Sequence, residues 1–241
     1  MDYSSYWNID MFLHFPYFLL GTFIFSIIGY FIGSLNGGQI LSRIGKKNLG
    51  EVGTENFGAT NAGRAYGNVG FVIVFLFDML KAVFAGLILN SILNGPSSKV
   101  FEYASIPLAM FFVVVGHSWP IYFGFKGGKG VATSFGSIIV VNWLFAIIAI
   151  GTFGVIVYFT KKVSIGSIVG SSIGAILIIF FQGIFPSNLV FDWTHNWTII
   201  PISAIGWILI IIRHKDNILE IVNKEKEKTK TVSTKDVVDE K

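Results

Sequence analysis

The chain has 241 residues, of which 53% are hydrophobic and only 13% charged, with a formal net charge of +4 and a mean hydropathy of +0.67. Because soluble domains carry about 25% charged residues, this composition excludes an ordinary water-soluble fold. The sequence contains no cysteine, which excludes disulfides, thiolate catalysis and cysteine-bound metals. These features predict an all-α, polytopic integral membrane helix bundle.

Apolar stretches follow one another along the chain, and several approach the roughly 20 residues that cross a bilayer as helix. The predicted stretches are 11–42, 69–93, 103–122, 131–160, 164–185 and 198–212. Residues 1–223 are therefore expected to form one membrane-embedded domain. Residues 224–241 are expected to form a charged, mobile cytoplasmic tail.

Basic residues in the connections predict the orientation of the helices, because such residues collect in the cytoplasm. The clustered ones are Arg43, Lys46, Lys47, Arg64, Lys126, Lys129, Lys161 and Lys162. With the N-terminus outside, all of them are cytoplasmic only if 131–160 crosses the membrane twice, as two short or bent pieces that turn near Asn142. Thirty residues of helix reach about 45 Å, which is long for one crossing and short for two. We favour two crossings by this stretch over a single tilted helix. Two crossings give about seven membrane segments and a cytoplasmic C-terminus.

The first polar cluster, 53–64, combines glycines, hydroxyls, amides and one arginine, including Thr54, Asn56, Asn61 and Arg64. Glycines allow backbone N–H groups to form anion-binding nests, and an arginine can hold phosphate with two hydrogen bonds. From these residues alone, a phosphate-binding loop and a plain glycine-rich loop remain equally open.

The second cluster places Lys126 and Lys129 among glycines that include Gly127, Gly128 and Gly130, at the start of an apolar helix. A helix N-terminus offers unpaired N–H groups and a favourable dipole to an anion. A Walker A loop is excluded because Gly130 follows Lys129, where Ser or Thr is required. The pattern favours an anion site over a basic loop that contacts anionic lipid.

The third cluster contains His214 and Asn217 at the end of the last apolar stretch. In a helix these two residues share one face, and histidine is the side chain best suited to proton transfer near neutral pH. Read alone, the cluster is better explained as a basic helix end anchored at lipid headgroups. The favoured topology, however, brings all three clusters to the same membrane face.

Four polar residues near apolar stretches receive less specific interpretations. Asp78 and Lys81 predict a buried ion pair that faces the bundle, rather than a direct catalytic role. His117 is expected to orient the basic loop that follows it. Ser34 is either a packing hydroxyl or a wall of the site.

Taken in order, these clusters resemble the three motifs of the bacterial acyl-phosphate:glycerol-3-phosphate acyltransferase family. The first motif resembles 53–64, above all Gly58-Ala59-Thr60-Asn61. The second resembles 116–133, and the third resembles Arg213-His214 with Asn217-Ile218. The chain departs from the first motif at Gly50, where the family usually has arginine, and at Glu55, where it usually has glycine.

The resemblance implies a multi-pass enzyme of the bacterial cell membrane, with 1–223 as the catalytic domain and the site on the cytoplasmic side. Such an enzyme transfers a fatty acyl group from acyl phosphate to the 1-hydroxyl of glycerol-3-phosphate. The products are lysophosphatidic acid, the first acylated intermediate of phospholipid synthesis, and phosphate. The implied partners are glycerol-3-phosphate, fatty acyl phosphate and membrane lipid, with no cofactor, metal or nucleic acid.

The resemblance also implies which residues act. The catalytic set is His214, Asn217, Thr54 and Lys129, and the substrate-binding set is Arg64, Asn61, Asn56, Lys126, Gly127, Gly128, Gly130 and Ser34. His214 is either a general base or a group that orients glycerol-3-phosphate, and a substrate phosphate oxygen can take the proton instead. The alternative function is a membrane transporter for a phosphorylated small anion, which is expected to have a midplane site and often internal repeats.

Overall fold

The computed structural model describes residues 10–93, 105–181, 198–220 and 222–223, so the predicted tail lies outside the described residues. Every regular element in these ranges is a helix. The α-helices are α1 (Asp10–Gly33), α2 (Gly37–Gly45), α3 (Ala59–Leu93), α4 (Ile106–Ser118), α5 (Val131–Val141), α6 (Trp143–Thr160), α7 (Val163–Phe181) and α8 (Ile199–Arg213). Two 3₁₀ helices, Leu49–Glu51 and Ile121–Phe123, lie in the connections.

Five helical stretches within the described residues are long and apolar enough to cross a membrane. They are Phe15–Gly45, Ala59–Leu93, Ile106–Phe123, Trp143–Thr160 and Val163–Phe181, and the shorter α5 and α8 are also apolar. Large apolar side chains are exposed on the outside of the bundle, among them Phe23, Phe84, Tyr158, Phe159 and Phe180. A soluble protein rarely exposes so much apolar surface, and the all-helical membrane prediction is confirmed.

The long stretch 131–160 is divided into two helices at Asn142. The Asn142 N–H donates to the Ile138 carbonyl at 2.7 Å, which ends α5. Its Oδ1 accepts the N–H groups of Leu144 and Phe145 at 3.1 and 3.2 Å, which begins α6. Asparagine is a favoured N-cap because it satisfies these otherwise unpaired donors. The expected division is confirmed, and the exported position of Asn142 stays a prediction.

Close backbone contact joins α1 to α4, which pack side by side. A Cβ at Gly33 would lie 2.8 Å from the Val113 Cα, and one at Gly29 would lie 3.2 Å from the Ala109 carbonyl carbon. Small residues at helix interfaces allow such approach in membranes. The short helix α5 occupies the interior, where it contacts α3, α4, α6 and α7. Its N-terminus is thereby held beside the polar connections.

The first apolar stretch, 11–42, also forms two helices rather than one. Asn36 separates them: its Oδ1 accepts the Gln39 N–H at 2.9 Å and caps α2. The third helix begins at Ala59, ten residues before the predicted stretch, and bends at Gly67, where φ is +70°. The separate helix α2 and the early start of α3 bound the connection 46–58 on its two sides and place it against the end of the bundle.

Candidate active site

A cavity of about 60 Å³ lies where the connection 46–58, the N-terminus of α5, the start of α7 and the residues after α8 meet. Its polar lining consists of Thr54, Asn56, Thr60, Asp78, His117, Lys129, Ser164, Ser167, His214 and Asn217. Phe71, Phe75, Phe153 and Val163 contribute apolar walls. Residues from all three polar clusters thus share one cavity.

The connection 46–58, called the first loop, is organised by the fully buried Asn61. The Asn61 Nδ2 donates to the carbonyls of Val52 and Asn56 at 2.6 and 2.9 Å. Its Oδ1 accepts from Thr54 Oγ1 at 3.3 Å and from Arg64 Nη1 at 2.8 Å. Both ends of the amide are therefore used within the loop. Asn61 positions Thr54 and Asn56 at the cavity and does not itself line it.

Glu55, the acid that departs from the family motif, is exposed and is absent from the cavity lining. Its backbone has a φ of +52°, in the left-handed region that glycine adopts without strain. The neighbouring Gly53 also has a positive φ, of +56°, and an added Cβ there would collide with the Arg64 guanidinium. In this turn the Glu55 side chain is exposed and forms no part of the cavity wall.

Residues 124–130, called the second loop, are held by side chains from other elements. Gln39 Nε2 donates to the Lys126 carbonyl at 2.7 Å, and Arg213 Nη2 donates to the Gly128 carbonyl at 2.7 Å. The Arg213 guanidinium also lies over the Trp119 ring, 5.1 Å from its centroid. These contacts fix the second loop from α2 and from the end of α8.

Backbone hydrogen bonds add two further attachments to the second loop. The Gly128 N–H donates to the His117 carbonyl at 3.2 Å, and the Phe57 N–H donates to the Gly127 carbonyl at 3.3 Å. The second of these bonds joins the two loops directly. Gly130, with a φ of +89°, caps α5 without a side-chain hydrogen bond. The first N–H groups of α5, at Val131 and beyond, therefore remain available beside the cavity.

Lys129 is the only cation among the described residues that line the cavity. Its ammonium donates to Asn217 Oδ1, while Asn217 Nδ2 donates to Ser164 Oγ at 2.7 Å. Burial, together with the nearby Arg213 charge and partly opposed by Asp216, lowers the pKa of Lys129 to about 8. An anion in the cavity would favour the charged form of Lys129.

His214 is 3% exposed and lines the same cavity. Its Nδ1 lies 2.8 Å from the Ile210 carbonyl. Because a carbonyl only accepts, the ring proton is on Nδ1 and the Nε2 lone pair is free to accept another proton. Burial lowers the pKa of His214 to about 4. The ring is therefore neutral near pH 7, as a proton acceptor must be.

Asp78, which also lines the cavity, forms the predicted buried ion pair with Lys81; the two side chains are 2.8 Å apart and 1% and 5% exposed. This prediction is confirmed. The pair lies against His117, whose carbonyl accepts from the second loop, in agreement with an orienting role for His117.

Six of the twelve predicted site residues line the cavity: Thr54, Asn56, Lys129, Gly130, His214 and Asn217. The other six do not line it. Arg64 and Lys126 are exposed, Asn61, Gly127 and Gly128 are buried in the loops, and Ser34 Oγ donates to the Tyr30 carbonyl at 2.8 Å. A role for these six in substrate binding stays a prediction.

The sequence reasoning missed three hydroxyl residues that line the cavity, namely Thr60, Ser164 and Ser167. Thr60 lies inside the first motif and was overlooked as a separate candidate. The two serines lie three residues apart in an apolar stretch, so they share one helix face. That spacing was the available signal.

A second, apolar cavity of about 90 Å³ lies between α4, α5, α7 and α8. Its lining includes Met110, Ser134, Ser171, Trp207 and Ile210. Ser171 is one helical turn from Ser167, so α7 lines both cavities, and Ile210 of α8 lies four residues before His214, the C-cap that lines the first cavity. We call this second cavity the apolar groove.

Comparison with known proteins identifies the family. A family profile described as glycerol-3-phosphate acyltransferase matches residues 23–224. The glycerol-3-phosphate acyltransferase of Staphylococcus saprophyticus is 37% identical over 179 residues, which is 71% of this chain and 79% of that protein. The enzyme of the same name from Mycoplasmopsis agalactiae is 34% identical over 189 residues, 70% of this chain and 77% of the other.

The fold also matches solved structures. The crystal structure of PlsY (YgiH), an integral membrane glycerol 3-phosphate acyltransferase, in its glycerol 3-phosphate form superposes with a TM-score of 0.70 and 29% identity. The superposition covers 84% of this chain and 92% of the solved chain. The lysophosphatidic acid form of the same protein gives a TM-score of 0.66 at 28% identity, with the same coverage of both chains. The chain belongs to the glycerol-3-phosphate acyltransferase family of multi-pass integral membrane enzymes.

Proposed function

We propose that this chain transfers a fatty acyl group from an acyl phosphate to the 1-hydroxyl of glycerol-3-phosphate, giving lysophosphatidic acid and inorganic phosphate. The observation that carries the proposal is one cavity that combines a cation, a helix N-terminus and a neutral histidine with a free Nε2. Both substrates carry phosphate, and the reaction needs a proton acceptor. Such a cavity provides both requirements.

The phosphate groups are held by Lys129 and by the free N–H groups at the start of α5. Charge-assisted hydrogen bonds of this kind are short and strong, and the helix dipole adds to them. Thr54, Asn56 and Asn217 orient the glycerol hydroxyls and phosphate oxygens. Arg64 and Lys126, exposed at the rim, bring phosphorylated substrates toward the cavity.

Acyl phosphate is a mixed anhydride, so no covalent enzyme intermediate is required. The 1-hydroxyl oxygen attacks the acyl carbonyl carbon, and the bond from that carbon to the phosphate oxygen breaks. Phosphate leaves with the bonding electrons, and the hydroxyl proton moves to Nε2 of His214. The low pKa of free His214 rises when two phosphorylated anions bind beside the ring. The enzyme contributes alignment and charge stabilisation.

The acyl chain extends into the apolar groove. Two of the hydroxyls there are satisfied within their own helices: Ser137 Oγ donates to the Thr133 carbonyl at 3.0 Å, and Ser171 Oγ to the Ile168 carbonyl at 3.1 Å. The surface presented by the groove is therefore mostly apolar. A long hydrocarbon chain can pass from the bilayer into such a groove without exposure to water, because lipid tails and the side chains that line the groove are similarly apolar.

The cavity faces the cytoplasm, with the N-terminus outside and the C-terminus inside the bacterial cell membrane. The division of 131–160 at Asn142 supports this topology, because two crossings there leave every basic cluster on one side. Cytoplasmic glycerol-3-phosphate then reaches the site without crossing the bilayer.

The test is a transfer assay with protein purified in detergent. Palmitoyl phosphate and glycerol-3-phosphate are supplied together, and both phosphate release and lysophosphatidic acid are measured. A parallel reaction without glycerol-3-phosphate separates transfer from hydrolysis, and one with palmitoyl-CoA tests the identity of the donor. We expect product only with palmitoyl phosphate and the acceptor together.

Two outcomes would contradict the proposal. Faster transfer from palmitoyl-CoA than from palmitoyl phosphate would overturn the donor assignment. Absence of transfer from either donor, together with uptake of glycerol-3-phosphate into proteoliposomes, would favour the transporter.

A further inference from the structure

The buried ion pair takes no part in the chemistry proposed above, yet every donor of Lys81 is used. The Lys81 ammonium has three protons, and three acceptors lie within reach. They are Asp78 Oδ1 at 2.8 Å, the Leu35 carbonyl at 2.8 Å and His117 Nδ1 at 3.0 Å. Asp78 Oδ1 also accepts the Gly37 N–H at 3.1 Å. The pair therefore joins α3 to the α1–α2 turn and to the end of α4.

The same contacts fix the tautomer of His117. Lys81 can only donate, and Asn36 Nδ2, a second donor, lies 3.4 Å from the same ring nitrogen. The Asn36 amide cannot be reversed without losing the bond from the Gln39 N–H to its Oδ1. Two donors thus face Nδ1, against a single acceptor, Asp78 Oδ1, at 3.3 Å. Nδ1 accepts, and the ring proton lies on Nε2.

The ring held in this way is the surface on which the second loop rests. The His117 carbonyl accepts from the Gly128 N–H. A Cβ at Gly128 would collide with His117 Nε2, so the glycine lies directly against the ring. The next residue, Lys129, lines the cavity. Asp78 and His117 themselves line the cavity, and a short chain of contacts leads from Lys81 through His117 and Gly128 to the cavity cation.

Stability alone is a weak explanation for this pair. Replacing a buried ion pair by neutral residues of similar volume is often neutral or stabilising, and intramembrane charges are costly. The attachment to the second loop gives the pair a different use. We propose that Asp78 and Lys81 are positioning residues, which hold the His117 ring so that Gly128 and Lys129 present the phosphate site. This inference rests on the proposed function.

The test is the neutral double variant Asp78→Asn with Lys81→Met, assayed with both phosphorylated substrates. The amide introduced by Asp78→Asn keeps an oxygen for the Gly37 N–H, and no charge is left unpaired, so the thermal midpoint should stay within a few degrees of wild type. Because the His117 ring loses its fixed partner, we expect KM for at least one substrate to rise about tenfold, more than kcat falls. The matched control is Ser26→Ala, which removes a buried hydroxyl bonded to the Thr22 carbonyl of its own helix.

The single variant Lys81→Met should be less stable than the double variant, because it leaves a buried carboxylate unpaired. If the double variant does not accumulate, the neutral double variant Asp78→Asn with Lys81→Gln, whose amide keeps a donor for the Leu35 carbonyl, serves instead, and KM should rise several-fold. Unchanged KM values in a stable variant would overturn the inference while leaving the proposed function intact. Absence of transfer by wild type in the same assay would instead mean that the proposed function itself fails.

Discussion

The two loops that form the cavity are fixed in opposite ways. The first loop depends on one buried amide within the same motif, Asn61, whose oxygen and nitrogen both bond to the loop. The second loop is held from outside, by Gln39, His117, Phe57 and Arg213 on four separate segments. The first arrangement is vulnerable to a single substitution, whereas the second distributes the same task over several bonds.

This difference separates two kinds of residue in a motif. A side chain such as Lys129 is present in the cavity and acts on what binds there. A side chain such as Asn61 acts only through the backbone that it holds. Substitution of either one should abolish activity, but only the second should also reduce stability. The variants below test that distinction.

The largest effect is expected for Asn61→Ala, which removes the centre of the first loop. Several hydrogen bonds, each worth about 1 kcal/mol net, are lost together, so the free energy of unfolding should fall by about 3 kcal/mol. Transfer should fall to the detection limit, because Thr54 and Asn56 lose their positions. Unfolding in a denaturing detergent and the transfer assay measure the two effects.

The control for Asn61→Ala is Asn48→Ala, an exposed residue of the same loop that bonds locally to Gly50 and Glu51. It should retain most of the activity. A stable Asn61→Ala variant that is inactive would contradict the scaffolding role and favour direct contact with substrate.

The second effect concerns the pH profile and the variant Lys129→Arg. The pKa of Lys129 is lowered to about 8, so its charged form is lost as the pH rises through that value. We expect kcat/KM of wild type to fall above pH 8, approaching about tenfold per unit. The substrate phosphates titrate near pH 6 and do not change in this range.

Arginine stays charged to well above pH 12. Whatever activity Lys129→Arg retains should therefore show no decline between pH 8 and 10. A profile that falls in parallel with wild type would assign the alkaline limb to another group.

A smaller effect is expected for Gln39→Ala, which removes one of the attachments of the second loop. The bond from Gln39 Nε2 to the Lys126 carbonyl is lost, while those at Gly127 and Gly128 remain. We expect kcat/KM to fall by about threefold or less, measured with both substrates. A loss as large as that of Asn61→Ala would mean that the second loop is not held by distributed contacts.

The smallest effect is expected for Glu55→Gly, which restores the residue usual in the family. The left-handed backbone of a non-glycine residue costs about 1–2 kcal/mol, but glycine also gives the unfolded chain more freedom. Stability should therefore change by less than about 1 kcal/mol, and turnover by less than about twofold. A tenfold rise in turnover would show that the carboxylate does reach the substrate.

Charge placement and helix length were enough to predict the break in 131–160, because both are properties of the chain itself. The motifs likewise predicted that His214, Asn217, Thr54 and Lys129 belong together, and the described cavity contains all four. What spacing could not predict is whether a motif residue faces the cavity or the loop. Asn61 and Thr54 are both polar residues of one motif. Only the fold shows that Thr54 lines the cavity, whereas Asn61 bonds to the first loop.

Ser164 and Ser167 show a second limit of sequence reasoning. A serine in an apolar helix most often bonds its own backbone, so it carries little functional signal by itself. The position of Asn217, whose Nδ2 donates to Ser164, gives the first of them a place in the site. That contact joins residues 53 positions apart and depends on the packing of α7 against α8.

The most direct test of the account is the turnover of His214→Ala with palmitoyl phosphate and glycerol-3-phosphate, measured beside its thermal midpoint in detergent. We predict that kcat falls at least about 100-fold, the usual contribution of a proton acceptor, while the midpoint stays near that of wild type. A stable His214→Ala enzyme with kcat within twofold of wild type would contradict the central claim that His214 accepts the proton in this cavity.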